Sequence, residues 1–190
     1  MKIVKKYFKR YFVDGMSAMA LGLFSSLIVG LIISQLSKIP HLEFFSNFTE
    51  VLSASSPVVG GAIGAAVAYG LKSKPLVIFS CIAVGAYGYS VGGPVGAFAA
   101  ATVANEIGSL VAGKTKLDIV LTPIVTIVSG GLVGMFVGPY LSQFMNWLGS
   151  VINAATRLHP FPMGIAVATL VGLALTAPIS SAALCIMLGI

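Results

Sequence analysis

Residues 72–118 read KSKPLVIFSCIAVGAYGYSVGGPVGAFAAATVANEIGSLVAGKTKLD. Lysine pairs close the stretch at both ends, Lys72 with Lys74 and Lys114 with Lys116, and Glu106 is the single charge between them. Gly92-Gly93-Pro94 divides the interior into two apolar runs, Pro75–Gly93 and Pro94–Gly113. Each holds about 20 residues, enough to cross roughly 30 Å of hydrocarbon as a helix. If the chain crosses once per run, both lysine pairs return to the same side.

Four more apolar runs lie outward from this block, at Gly15–Ser37, Val51–Leu71, Ile119–Pro139 and Phe161–Ile190. Across all 190 residues 57% are hydrophobic and 8% charged, where a soluble domain carries about 25% charged residues. That excludes a soluble enzyme, a nucleic-acid-binding module and a disordered chain. The 22 glycines and the prolines inside several runs suit membrane helices, which pack closely through small residues. With the N-terminus cytoplasmic, Lys2, Lys5, Lys6, Lys9, Arg10, Lys72, Lys74, Lys114 and Lys116 fall inside, and only Lys38 and Arg157 outside. Shifting the crossing count by one destroys this positive-inside bias. The expected fold class is an all-α polytopic protein of the bacterial plasma membrane, with about six apolar segments, broken or re-entrant elements and an N-terminal amphipathic helix.

Residues 2–12, KIVKKYFKRYF, place Ile3, Val4, Tyr7, Phe8, Tyr11 and Phe12 at helical spacing with the basic residues opposite, an interfacial helix facing anionic lipid. The expected division is therefore 1–14 as that helix and 15–190 as the transmembrane domain. A signal peptide is the rival reading, but Gly15–Ser37 is too long for its apolar region. Residues 140–156 carry an apolar stripe, including Phe144, Met145 and Leu148, opposite Ser142, Gln143, Asn146, Ser150 and Asn153. Two readings stay open there: a second interfacial helix anchored by Trp147, or a helix packed inside on its stripe. Phe161–Ile190 exceeds one straight span and is split by Pro178, which reads as a re-entrant element or as a domain truncated at its C-terminus.

Most motifs have structural readings. Gly108 to Thr115 matches G-x-x-x-x-G-K-[ST], but a phosphate loop follows a strand, and here an Ala-rich helical run precedes it. Gly60/Gly64/Ala68 and Gly130/Gly134/Gly138 are helix-packing ladders. Thr115-x-x-Asp118 resembles a capping box. Cys81 and Cys185 lie in apolar runs and read as packing residues. No metal-ligand spacing and no Ser/His/Asp set is present, so no cofactor, metal or catalytic residue is expected. Glu106, beside Asn105, is the exception, because a charge deep in a bilayer costs about 2.5–3.5 kcal/mol. It is either a neutral carboxyl bonded to a neighbouring helix or part of a solute or ion pathway. His159, just before Pro160 and Pro162, is structural or touches solute. The breaks at Gly92, Gly93, Pro94 and at Thr176, Pro178, Ser180, Ser181 are tolerated at membrane depth only where buried or lining a cavity. They complete the candidate substrate-binding set.

YGYSVGGPVGAFAAATVANEIGSLVAGKTKLDIVLTPIVTIVSGGLVGMFVGP (residues 87–139) resembles the membrane IIC subunits of the phosphoenolpyruvate-dependent phosphotransferase system, closest to the fructose-type and perfringolysin-regulator-like branch. VDGMSAMALGLFSSLIVGLIISQL (residues 13–36) and MGIAVATLVGLALTAPISSAAL (residues 163–184) extend the similarity over nearly the whole chain. The resemblance implies a multi-pass, usually dimeric permease that carries sugar inward and presents it to a cytoplasmic IIB protein, with no phosphorylated residue of its own. Fructose-type members have Asp-Met-Gly-Gly-Pro-Val-Asn-Lys where this chain has Leu-Thr-Ala-Pro-Ile-Ser-Ser at 175–181. That thinner polar set keeps two other classes open: a membrane-embedded regulator with the permease fold, and an ion-coupled transporter of a non-sugar solute.

Overall fold

The computed structural model describes residues 7–156 together with Gly164, Ala168 and Thr169. Its helices are α1 (Lys9–Leu36), the short α2 (Ser46–Thr49), α3 (Pro57–Gly70), α4 (Pro75–Val111) and α5 (Asp118–Thr156). No strand occurs among the described residues. Three of these elements, Lys9–Leu36, Pro75–Val111 and Asp118–Val151, are long and apolar enough to cross a membrane. The expected run Phe161–Ile190 lies outside the described residues.

α4 decides the architecture, because it is folded back on itself. Gly93 sits at φ 63° and ψ −160°, a region that only glycine enters without strain. Pro94 follows and starts a new helix with its fixed φ. The arms Pro75–Gly92 and Pro94–Val111 then run antiparallel. Cys81 Sγ lies 3.9 Å from the Ala101 carbonyl oxygen, and Lys74 Nζ donates to the Ala112 carbonyl at 2.6 Å. In a straight helix Lys74 and Ala112 would stand about 57 Å apart. Each arm is about 27 Å long, so the two lysine pairs share one end of the molecule and Gly93 marks the other.

Small residues let the remaining helices close on this hairpin. A Cβ at Gly64 of α3 would collide with the Cys81 carbonyl, and one at Gly60 with Tyr89 and Gly85. Gly130, Gly134 and Gly138 of α5 lie against Val84 and Ala104, Tyr87, and Val91 in turn. Both glycine ladders are thus contact faces, as helix association in lipid requires. α1 runs antiparallel to α3, with Gly22 against Ala62 and Ile63, and Ala18 against Gly70. Met19, Leu23 and Leu27 of α1 meet Val59, Ile63 and Val67 of α3 in the larger core cluster, which Ala97 and Ala101 of α4 complete. α1 is π-wound at Lys9–Gly15 and Phe24–Ile28. At the second stretch the Ser25 and Ser26 hydroxyls donate to the Gly22 carbonyl at 3.1 and 2.7 Å, which loosens the backbone ladder there.

Several boundaries differ from expectation. Within Val51–Leu71 the helix starts only at Pro57, where Ser56 accepts from the Val58 N–H at 3.3 Å and Pro57 takes the first turn. At 14 residues α3 is about 21 Å long, shorter than a full span. α5 continues through Pro139 to Thr156 as one helix, so residues 140–156 form no separate element. A membrane helix tolerates the missing proline N–H when neighbours re-satisfy the freed carbonyl. Met145 is buried while Trp147 and Phe144 are exposed, so this extension packs on part of its stripe. Lys9–Gly15 likewise runs directly into Met16–Leu23. The Asp118 carboxylate accepts from the Gly113 N–H at 2.7 Å and the Thr122 hydroxyl at 2.6 Å, in place of a box with Thr115. Gly113, at φ 75°, ends the preceding helix as a left-handed cap, so the Gly108–Thr115 match is a helix end and a turn.

Candidate functional site

Polar groups gather at both ends of the α4 hairpin. At the bend a cavity of about 280 Å³ is lined by Ala54, Tyr89, Gly92, Gly93, Pro94, Ser142, Met145 and Asn146. The sequence positions each member. Gly93 and Pro94 reverse the backbone, and a Cβ at Gly92 would press on the Gly138 backbone at 3.0 Å. α5 therefore passes directly over the turn, and Ser142 and Asn146, one helical turn apart on the same face, reach the cavity. The Tyr89 hydroxyl donates to the Ala54 carbonyl at 2.6 Å and so ties the segment before α3 to the cavity wall. The carbonyl end of one arm and the N–H end of the next meet here, placing helix-terminus dipoles of opposite sign beside a polar cavity.

At the lysine end, Asn105 is fully buried. Its Oδ1 accepts from the Ser73 hydroxyl, and Ser73 Oγ lies 3.3 Å from Ser109 Oγ. Among the described residues the Asn105 Nδ2 has no hydrogen-bond partner, and a buried donor left uncompensated costs about 1–3 kcal/mol. Thr122 and Thr126 are also fully buried, and the Thr126 hydroxyl donates to the Thr122 carbonyl at 2.7 Å. Glu106 lies at this end as well, roughly a turn and a half before the arm ends at Val111. Arg10 Nη2 donates to its Oε1 at 2.8 Å, with side-chain exposures of 41% and 37%.

The candidate residues thus separate into two groups. Gly92, Gly93 and Pro94 line the bend cavity, whereas Asn105 and Glu106 stand about 16–18 Å away along the second arm. Glu106 meets Arg10 of α1, a guanidinium on a neighbouring helix. His159, Thr176, Pro178, Ser180 and Ser181 lie outside the described residues. Tyr89, Ser142 and Asn146 were not singled out as site residues. The signal for the latter two was present in the polar face of residues 140–156, which reads equally as a water-facing side. Among the described residues no group of three or more His, Cys, Asp or Glu side chains could hold a metal ion.

Searches of curated proteins and of solved structures return no match. The family model described as "Phosphotransferase system, EIIC" matches residues 13–190, from α1 to the last residue. The chain belongs to the phosphotransferase system EIIC family, membrane-embedded permease components that work with a cytoplasmic IIB partner.

Proposed function

We propose that this chain carries a sugar or a similar polyhydroxylated solute inward across the bacterial plasma membrane and presents it to its IIB partner, working as a multi-pass homodimer with the N-terminus and the lysine end cytoplasmic. The observation that carries this reading is the bend cavity, where Ser142, Asn146 and the broken backbone at Gly92–Pro94 converge. With the lysine end cytoplasmic, the bend lies at the outer end of the hairpin, where an inward-moving solute arrives, and hydroxyl and amide side chains suit a neutral polyol. Thr176, Pro178, Ser180, Ser181 and His159 are assigned to the same solute from the sequence. Asn105, whose amide nitrogen has no partner among the described residues, and Glu106 form a second polar station on the way to the cytoplasmic side. Residues 1–14 act as an interfacial anchor for the domain that follows.

Uptake of labelled sugars tests this reading in cells with and without the gene, each in backgrounds that retain or lack the general phosphotransferase proteins. Gene-dependent uptake that disappears when those proteins are removed is the expected result. Uptake that follows a pH gradient and persists without them would assign the chain to ion-coupled transport and overturn the reading.

A further inference from the structure

Between the start of α1 and the turn joining α3 to α4 lies a cleft of about 480 Å³, lined by Lys9, Arg10, Asp14, Gly70, Leu71 and Lys72. It is a built feature rather than a scatter of surface lysines. α1 and α3 approach so closely that a Cβ at Gly70 would collide with Ala18, and buried Leu71 packs in the core cluster beneath. Lys72 is held at φ 61°, a left-handed conformation that is uncommon for a residue with a side chain. The Lys72 N–H donates to the Tyr69 carbonyl at 2.9 Å and the Ser73 N–H to the Ala68 carbonyl at 3.1 Å. The turn is thus fixed with Lys72 at the cleft. Arg10 shares its charge with Glu106, but among the described residues no carboxylate lies within ion-pair distance of Lys9 or Lys72.

We propose that this cleft binds the phosphodiester headgroup of an anionic membrane phospholipid, with Lys9, Arg10 and Lys72 on the phosphate and Asp14 accepting from a headgroup hydroxyl. The surroundings favour lipid over a protein partner. Tyr7, Phe8, Phe12 and Tyr69 are all exposed. Tyr7 stacks on Tyr11 at 6.2 Å and Phe8 on Phe12 at 4.8 Å. Exposed tyrosines such as Tyr7 and Tyr69 collect at headgroup depth, so the cleft opens at the level where phosphodiesters are and short of the free cytosol. The inference holds whatever solute the permease moves.

The test uses the full chain in phosphatidylcholine nanodiscs containing a minor fraction of phosphatidylglycerol, with retained lipid counted by native mass spectrometry. Wild type is expected to retain phosphatidylglycerol. A Lys9→Gln/Lys72→Gln variant should bind it about 25-fold more weakly, at about fivefold per lysine, and Lys9→Arg/Lys72→Arg should keep it. Lys114→Gln/Lys116→Gln removes equal charge from the same end outside the cleft and should stay within about twofold of wild type. Equal losses in the two glutamine variants would reduce the effect to general attraction and overturn the site. Displacement of the lipid by millimolar inorganic phosphate would assign the cleft to a free anion instead. Unchanged lipid retention with lost IIB binding in Lys9→Gln/Lys72→Gln would give it to the protein partner, and either outcome overturns the proposal.

Discussion

Arg10 and Glu106, ninety-six positions apart in the chain, meet at 2.8 Å. The pair joins the start of α1 to the second arm of the α4 hairpin at the lysine-bearing end. Both side chains are more than a third exposed, so the pair is worth at most about 1 kcal/mol. Glu106→Gln should therefore lower the melting temperature in detergent by a few degrees at most. It should leave the KM for solute within about twofold, because the bend cavity is about 18 Å away. The swapped pair Arg10→Glu/Glu106→Arg should recover the lost stability. A large rise in KM for Glu106→Gln would instead place Glu106 at the main solute site and not at a later station on the route.

The hairpin makes a sharper claim. Ser73 Oγ and Ser109 Oγ are 3.3 Å apart, so cysteines at these positions, with Cys81 and Cys185 replaced by alanine, should form a disulfide under mild oxidation. A straight α4 would hold them about 54 Å apart. Gly93→Ala forces a side chain into the conformation at φ 63° and should cost about 1–3 kcal/mol and weaken the crosslink. An unchanged crosslink yield in Gly93→Ala would show that the reversal does not depend on this residue.

The features legible in the sequence were those set by one element alone. Apolar run length marked both arms of α4, the doublet Gly92-Gly93 with Pro94 marked the break, and glycines four apart marked the faces on which α3 and α5 pack. The lysine pairs at 72/74 and 114/116 even implied the shared end that Lys74 and Ala112 confirm by contact. Features that need two distant elements were not legible. Hydropathy alone placed Glu106 deep in its run, since nothing in residues 94–113 announces that Arg10 will reach it. Pro139 read as a helix end because a proline in water would be one. In lipid the pull to close backbone hydrogen bonds keeps α5 continuous, and this carries Ser142 and Asn146 over the bend.

Close packing predicts a contrast between two glycines. A Cβ at Gly64 meets the Cys81 backbone oxygen, which cannot move without shifting the whole arm, whereas a Cβ at Gly131 meets nothing within 4 Å among the described residues. Gly64→Ala should destabilise by about 1–3 kcal/mol through overpacking. Gly131→Ala should be neutral or stabilise by up to about 1 kcal/mol through helix propensity. Thermal unfolding of the two variants side by side checks this, and equal effects would contradict the packing of α3 on α4.

The bend cavity is tested by its own polar side chains. Loss of one neutral hydrogen bond to solute costs about 0.5–1.5 kcal/mol, so Asn146→Ala and Ser142→Ala should each raise KM about two- to tenfold with kcat little changed. Tyr89→Phe breaks the bond to the Ala54 carbonyl without removing the ring. Its effect on KM should be smaller, with a modest loss of thermal stability. If both alanine variants transport with wild-type KM, the solute does not sit at the bend.

Orientation can be tested directly, because the described charges are asymmetric. Lys9, Arg10, Lys72, Lys74, Lys114 and Lys116 share one end, and the other end holds Lys38 with Glu43 and Glu50. Cationic loops are retained in the cytoplasm during insertion, so the lysine-rich end should face inward. In a background without Cys81 and Cys185, single cysteines at Lys38, Lys72 and Lys114 are probed with a membrane-impermeant maleimide. Lys38→Cys should label in intact cells, and Lys72→Cys and Lys114→Cys only after permeabilisation. If Lys72→Cys labels from outside, the end carrying Asn105 and Glu106 is extracellular. A cytoplasmic IIB protein would then meet the bend instead, and the order of the two polar stations along the transport route would be reversed.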